Sequence, residues 1–164
     1  MVTRIAKIVA LGSFGIMVLL VAFNNVVDYN SNLDFVRHIL LMDTIFENSS
    51  LKWRSIDSVF LHHTFYILII IAEFLCAGLC LVSSFQLIKN IKNPSEFHTA
   101  KRLGIIGLTI GLLIWFLGFA AIGAEWFASW QSSSWSSTSS GRTLSLLILA
   151  CLIFLTPREN TDDP

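Results

Sequence analysis

Charge is what this chain has least of. Only 13% of its 164 residues are Asp, Glu, Lys or Arg, against about 25% in a typical soluble domain. Eleven cations balance eleven carboxylates, so there is no basic footprint for nucleic acid, and no such partner is expected. Cysteine is scarce as well. Cys76, Cys80 and Cys151 all lie inside apolar runs, where a thiol behaves as a small hydrophobe, and none sits in a polar loop to form a structural disulfide. Nucleophile elbows, phosphate-binding glycine loops and paired catalytic carboxylates are all missing. Gly104 and Gly107 fall within an apolar run, where a helix already uses the backbone donors. The residues predict a protein that is not an enzyme.

What is abundant is apolar length. The chain is 54% hydrophobic, with 13 Phe and 5 Trp. The stretch LHHTFYILIIIAEFLCAGLCLVSSFQ, from Leu61 to Gln86, holds a single carboxylate, Glu73. A bilayer core takes about 20 residues of helix, so this run is long enough to span one. Three further runs join it, and the predicted spans are 5–23, 61–86, 103–124 and 138–156. The fold class expected is all-α integral membrane, with four transmembrane helices in one domain, 1–164.

Arg4 and Lys7 ahead of Ile8–Phe23 resemble the start of a signal peptide. Leu20, Ala22 and Phe23 form no small-x-small cleavage site, so the run reads as an uncleaved first span. Gly12, Ser13 and Gly15 give it a lean side for close helix approach, as Gly107-x-x-x-Gly111 does for the third span. Packing is the first reading of that second motif, and self-association through Gly107 and Gly111 the second. The strictly apolar part of the fourth span, Leu144–Leu155, has 12 residues. That is about 18 Å of helix against a core of about 30 Å. The helix must therefore start near Thr138 and bring Ser139, Ser140 and Arg142 into or beside the bilayer. Thr156-Pro157 ends it.

The connections fall at 24–60 and 125–137 on one side and 87–102 on the other. In the first, Asn30-Ser31-Asn32 predicts a turn or helix cap, and Leu33, Val36, Ile39 and Leu40 then share one helical side. Trp126, Trp130 and Trp135 are interfacial aromatics, the first two predicted on one helical face. The two connections predict a partly helical outer (periplasmic) cap. Asn93-Pro94 marks a turn in the third connection. Arg4, Lys7, Lys89, Lys92, Lys101, Arg102 and Arg158 crowd one side, which the positive-inside rule makes cytoplasmic, with both termini.

Glu73 stands about 12 residues, or some 18 Å of helix, below Leu61, near the predicted midplane. An ionised carboxylate there costs several kcal/mol, which leaves two readings. One is a proton-titrating or ligand-binding site. The other is a protonated acid donating to a neighbouring helix. Glu125 and Arg142 are predicted to form a shielded ion pair clamping the third and fourth helices. Asp28, His38, Asp43, His62 and His63 make an outer-cap polar cluster. Its spacing matches no zinc motif, and all four histidines lie outside the spans or at their ends, with none facing another within them to hold haem, so neither metal nor cofactor is expected.

The segments NNVVDYNSNLDFVRHILLMDT, WRSID, HHTFYILIIIAEFLCAGLC and LTIGLLIWFLGFAAIGAEWFASWQSSSW together resemble a bacterial family. It is domain-of-unknown-function family 2165, predicted small integral membrane proteins. The resemblance runs from about Asn24 to Leu155. It is carried by Asn25, Asp28, Asn32, His38, Asp43, Trp53, Arg54, Glu73, Glu125, Trp126 and Gln131. The family pattern has Asn-Gly after the last tryptophan, where this chain has Ser136-Ser137 after Trp135. The resemblance implies four spans in a bacterial inner (plasma) membrane and supplies no activity. The expected function is a small accessory or interaction subunit, in contact with the lipid bilayer and a larger membrane complex. The alternative is a binding or transport module for a small amphipathic molecule, a quinone or lipid, with Glu73 as its protonatable site.

Overall fold

The computed structural model describes residues 1–159, and no strand occurs among them. The helices are α1 (Val2–Val27), α2 (Tyr29–Leu41), α3 (Val59–Lys89), α4 (Pro94–Leu112) and α5 (Thr138–Leu155). A π-helix, Leu113–Trp126, continues α4 without a break. Four helices are long and apolar enough to cross a membrane: α1, α3, α4 with its π-segment, and α5.

The helices outrun the apolar runs, and at α4 a polar residue starts the helix. α4 begins at Pro94, well before the predicted Leu103. The Asn93 carboxamide oxygen accepts from the backbone N–H of Ser95 (3.1 Å) and of Glu96 (3.4 Å). Proline at the first position has no N–H to leave unmatched. The Asn-Pro turn is therefore also a helix start. A cap predicted at Asn30-Ser31-Asn32 is displaced upstream. The chain leaves α1 at Asp28 and re-enters helix at Tyr29, and the Ser31 hydroxyl reaches back to the Asp28 carboxylate at 2.9 Å. At the other end of α2, Met42 adopts the left-handed conformation (φ 53°), and its N–H bonds to the carbonyls of His38 and Ile39. A side chain that is 1% exposed holds it there.

α3 lies at the centre, flanked by α1 and α4, and α5 packs on α4 and the π-segment. Small residues set these distances. A Cβ on Gly12 would stand 2.9 Å from the Ser84 hydroxyl, and one on Gly107 2.8 Å from the Cys80 sulfur. Gly111 faces Ile148 of α5 at 3.1 Å in the same sense. The Gly107/Gly111 groove is thus filled inside the chain. The closest approach to backbone is at Gly141 of α5, where a Cβ would meet the Ala120 backbone nitrogen at 2.8 Å.

One core layer, around Leu11, Phe14, Cys76, Cys80, Leu108 and Ile148, runs through the four-helix part. A second lies under α2, with Ile39, Met42, Tyr66, Ile70 and Phe127. The perimeter is apolar too: Ile16, Leu20, Ile71, Leu75, Phe116 and Ile153 are exposed, as lipid-facing side chains would be.

The π-winding changes which side chains line up. Its i→i+5 pattern persists to the last bond, from the Phe127 N–H to the Ile122 carbonyl at 3.0 Å. Ala128 then turns left-handed (φ 52°) and ends the helix. Trp126 and Trp130 therefore do not share a helical face as predicted. Trp126 meets Trp53 edge-on, and Trp130, in the 3-10 turn Ser129–Gln131, meets Phe46.

The two connections at this end close over each other beside α2. Thr44 and Ser132 share a hydroxyl hydrogen bond of 2.8 Å, and the Phe46 N–H donates to the Gln131 side chain at 3.3 Å. The Arg54 guanidinium donates to the Trp126 carbonyl (3.1 Å) and lies 4.5 Å from the centre of its ring. Trp135 stacks on His38 at 4.6 Å. These contacts make the cap. The opposite end gathers the chain's start, the α3–α4 connection and the residues after α5: Arg4 bonds to the Ile91 carbonyl, and Lys7 to Glu159.

Candidate functional site

Glu73 is 2% exposed and does not stand alone. The Asn25 carboxamide of α1 donates to its Oε2 at 2.7 Å, and the Tyr66 hydroxyl donates to the Asn25 backbone carbonyl at 2.9 Å. Tyr66 and Glu73 lie two turns apart on α3 and grip the same residue of α1. Glu73 is central along α3 but level with the last turn of α1, because α3 overshoots α1 toward the cap. The three groups form a polar clasp between the two helices.

The outer-cap polar residues divide instead of converging. Asp28 takes the Ser31 hydroxyl. His38 pairs through Nδ1 with Asp43 at 2.8 Å. His62 meets the Ile56 carbonyl at 2.8 Å through Nε2, and His63 meets the Tyr29 hydroxyl at 2.9 Å through Nδ1. The single cluster expected from the sequence is thus four local contacts. Among the described residues, no three His, Cys, Asp or Glu side chains are grouped to hold a metal ion. Glu125 and Arg142 do come together, at 3.8 Å, but with side chains 62% and 66% exposed. The pair links the π-segment to α5 at the surface and is not shielded.

Between α2, α3 and the π-segment lies a crevice of about 540 Å³. Phe35 and Ile39 of α2, Leu68 and Ala72 of α3, and Gly118 and Phe119 of the π-segment line it. Its one hydroxyl, that of Ser137, is already donated to the Phe119 carbonyl at 2.9 Å. Glu73 does not line it. The clasp and the crevice are therefore separate features. The Ser137 that departs from the family pattern caps this junction: it bonds Ser129 and Phe119, and it is fully buried.

A third site was read in the sequence only as flanking charge. Arg4, Lys7 and Lys101 are 3%, 3% and 1% exposed at the end that holds the termini. Glu159 Oε1 accepts from Lys7 Nζ at 2.6 Å and from Lys101 Nζ at 2.5 Å, with Arg4 Nε 3.9 Å from Oε2. The Pro157 carbonyl takes a second bond from Lys101, at 2.7 Å. Arg4 and Lys7 are three residues apart, on the same side of α1 as the buried Leu11 and Phe14. That spacing is the signal that could have placed them inward.

Burial alone would raise the Glu159 carboxyl, but the hydrogen bonds from Lys101 and Lys7 outweigh it and hold the group below the usual carboxylate range. A carboxyl depressed in the folded state stabilises at pH above its unfolded value, and the contribution is lost as pH falls through the folded one. Melting temperature should therefore drop below about pH 4. The drop should be smaller in Glu159→Gln, and equal drops in the two proteins would refute the contact's role.

A family model described as predicted small integral membrane protein (DUF2165) matches residues 3–158. No curated protein and no solved structure matches the chain.

Proposed function

The chain belongs to the family of predicted small integral membrane proteins, and from that premise we propose a non-enzymatic membrane protein that holds a lipid or quinone under its cap. The supporting observation is the crevice of about 540 Å³ beneath α2. Ligand pockets run from roughly 300 to 1,000 Å³ and are mostly apolar with a few polar groups. Here the lining is almost wholly apolar, which favours a hydrocarbon or isoprenoid chain over a polar metabolite. In this reading Glu73 is a helix clasp and not the ligand's partner. The protein sits in a bacterial inner membrane, with the Lys- and Arg-rich end and both termini cytoplasmic.

A second reading, an accessory subunit of a larger membrane complex, draws on the exposed cap aromatics Trp53 and Phe60, 73% and 76% exposed. Self-association through Gly107 and Gly111 forms no part of either, because that face already packs on α3 and α5.

Purification in mild detergent followed by mass spectrometry separates the readings. A stoichiometric lipid or quinone is expected, retained in Glu73→Gln and lost in Gly118→Leu. The Gly118 position can take a side chain: a Cβ there meets nothing nearer than 3.5 Å. Loss of the molecule in Glu73→Gln would return the site to Glu73. A stoichiometric protein partner with no bound lipid would favour the accessory subunit.

A further inference from the structure

We propose that Arg4, Lys7 and Lys101 form a binding site for the phosphate group of an anionic lipid, which the Glu159 carboxylate occupies in this structure. Three observations support it. The first is burial without dispersal. Three cations from two helices, each at most 3% exposed, converge on the Glu159 carboxylate. Isolated buried cations are costly, and such a gathering suits an anion.

The second is the form of the acceptor. Both ammonium groups crowd one oxygen of Glu159, at 2.6 and 2.5 Å, and both turn a further bond to the Pro157 carbonyl, Lys7 at 3.4 Å and Lys101 at 2.7 Å. Each ammonium has three donors to place. A phosphate, with more oxygens than a carboxylate, would give each lysine its own acceptor, with the guanidinium on another. The donors are held in position: Arg4 by the Ile91 carbonyl at 2.8 Å, and Arg4 and Lys101 by the Phe97 ring at 5.9 and 5.6 Å.

The third observation points to a lipid. Next to the cluster, between α1 and α5, lies a cavity of about 630 Å³. Lys7, Arg158 and Glu159 line its polar part, and Ala150, Ile153 and Phe154 its apolar part. Ile153 is 73% exposed on the face that a bilayer would cover. Headgroup and acyl chain thus have adjoining, chemically matched walls, and basic pockets between membrane helices are a recurrent lipid headgroup site. Glu159 is tethered within reach, so it competes at high effective concentration. The tail is a built-in stand-in for the ligand.

The test uses delipidated full-length protein titrated with phosphatidylglycerol, phosphatidylcholine or inorganic phosphate, with bound molecules counted by native mass spectrometry. Phosphatidylglycerol should be retained in preference to phosphatidylcholine. Removing the competitor, in Glu159→Gln, should tighten retention by about tenfold. The double change Lys7→Gln/Lys101→Gln should abolish the preference, and Lys101→Arg should keep it. Displacement of phosphatidylglycerol by millimolar inorganic phosphate would assign the site to phosphate in general, and resistance would assign it to the lipid. Equal retention of both lipids overturns the proposal. So does a Glu159→Gln protein that binds no tighter than wild type, a result that stands even if the lysine variants do not fold. Gly118→Leu should leave this binding unchanged, which separates the site from the crevice under the cap.

Discussion

Gly141→Leu is expected to destabilise the protein by about 1–3 kcal/mol or more, the usual range for overpacking. The hydrogen of Gly141 is where α5 and the π-segment touch. A Cβ there would stand 2.8 Å from the Ala120 nitrogen and 3.1 Å from its Cα. Those are backbone atoms, so no rotamer change can make room and the helices must separate. α5 tolerates this poorly because its strictly apolar stretch is short and this contact sets how closely it meets the π-segment. Gly78 is the control. A Cβ there meets nothing within 4 Å, and a helical glycine replaced by a better helix former gains about 0.8–1 kcal/mol. Thermal unfolding of both leucine variants in detergent decides the matter. If Gly141→Leu melts with Gly78→Leu, the close contact is not what holds α5.

The second large effect should come from Asn25→Leu. It removes the donor to Glu73 and leaves a carboxyl group, 2% exposed, without the amide it faces. An unsatisfied buried acceptor costs about 1–3 kcal/mol, and more if charged. The double variant Asn25→Leu/Glu73→Leu should be milder than the single one, because replacing both partners leaves nothing unmatched. Glu73→Gln should be tolerated within about 1 kcal/mol, since its oxygen can still accept from Asn25. A double-mutant cycle measures the coupling directly. Strict additivity would mean that the two side chains do not act together.

The spans were legible in the sequence because hydropathy is a local property: the unbroken run from Leu61 to Gln86 needs no partner to be recognised. Where α4 starts was not, since the Asn93 cap is polar and hydropathy does not register it. The π-winding left no trace in the pattern either. The left-handed turn at Ala128 then ended the helix and took Trp130 off the face of Trp126, which a 3.6-residue period cannot anticipate. Glu73 was conspicuous as the lone carboxylate of its span, whereas its partner Asn25 is 48 residues away and looked like the first polar residues of a loop. The cap was visible as a concentration of aromatic and polar side chains in two connections. Its pairings, such as Arg54 on Trp126, are long-range and were not. Arg4, Lys7 and Lys101 were counted correctly as a charge excess. The spacing of Arg4 and Lys7 on the buried side of α1 hints at their inward turn, but the Glu159 that receives Lys7 is 152 residues away and nothing near them announces it.

The burial of these cations bears on how the protein is made. Lysine and arginine beside a hydrophobic segment bias the direction in which it is threaded into the membrane. Arg4 and Lys7 would serve that purpose while α1 is newly emerged and Glu159 has yet to be synthesised. Once the last helix is in place, the same side chains are withdrawn beneath the tail. On the proposed topology they would be read twice, first as a direction signal during insertion and then as an internal anchor in the finished protein. Neutral substitutions at Lys7 would act at both stages, so a defective variant must be checked for inverted helices before its loss is ascribed to the folded state.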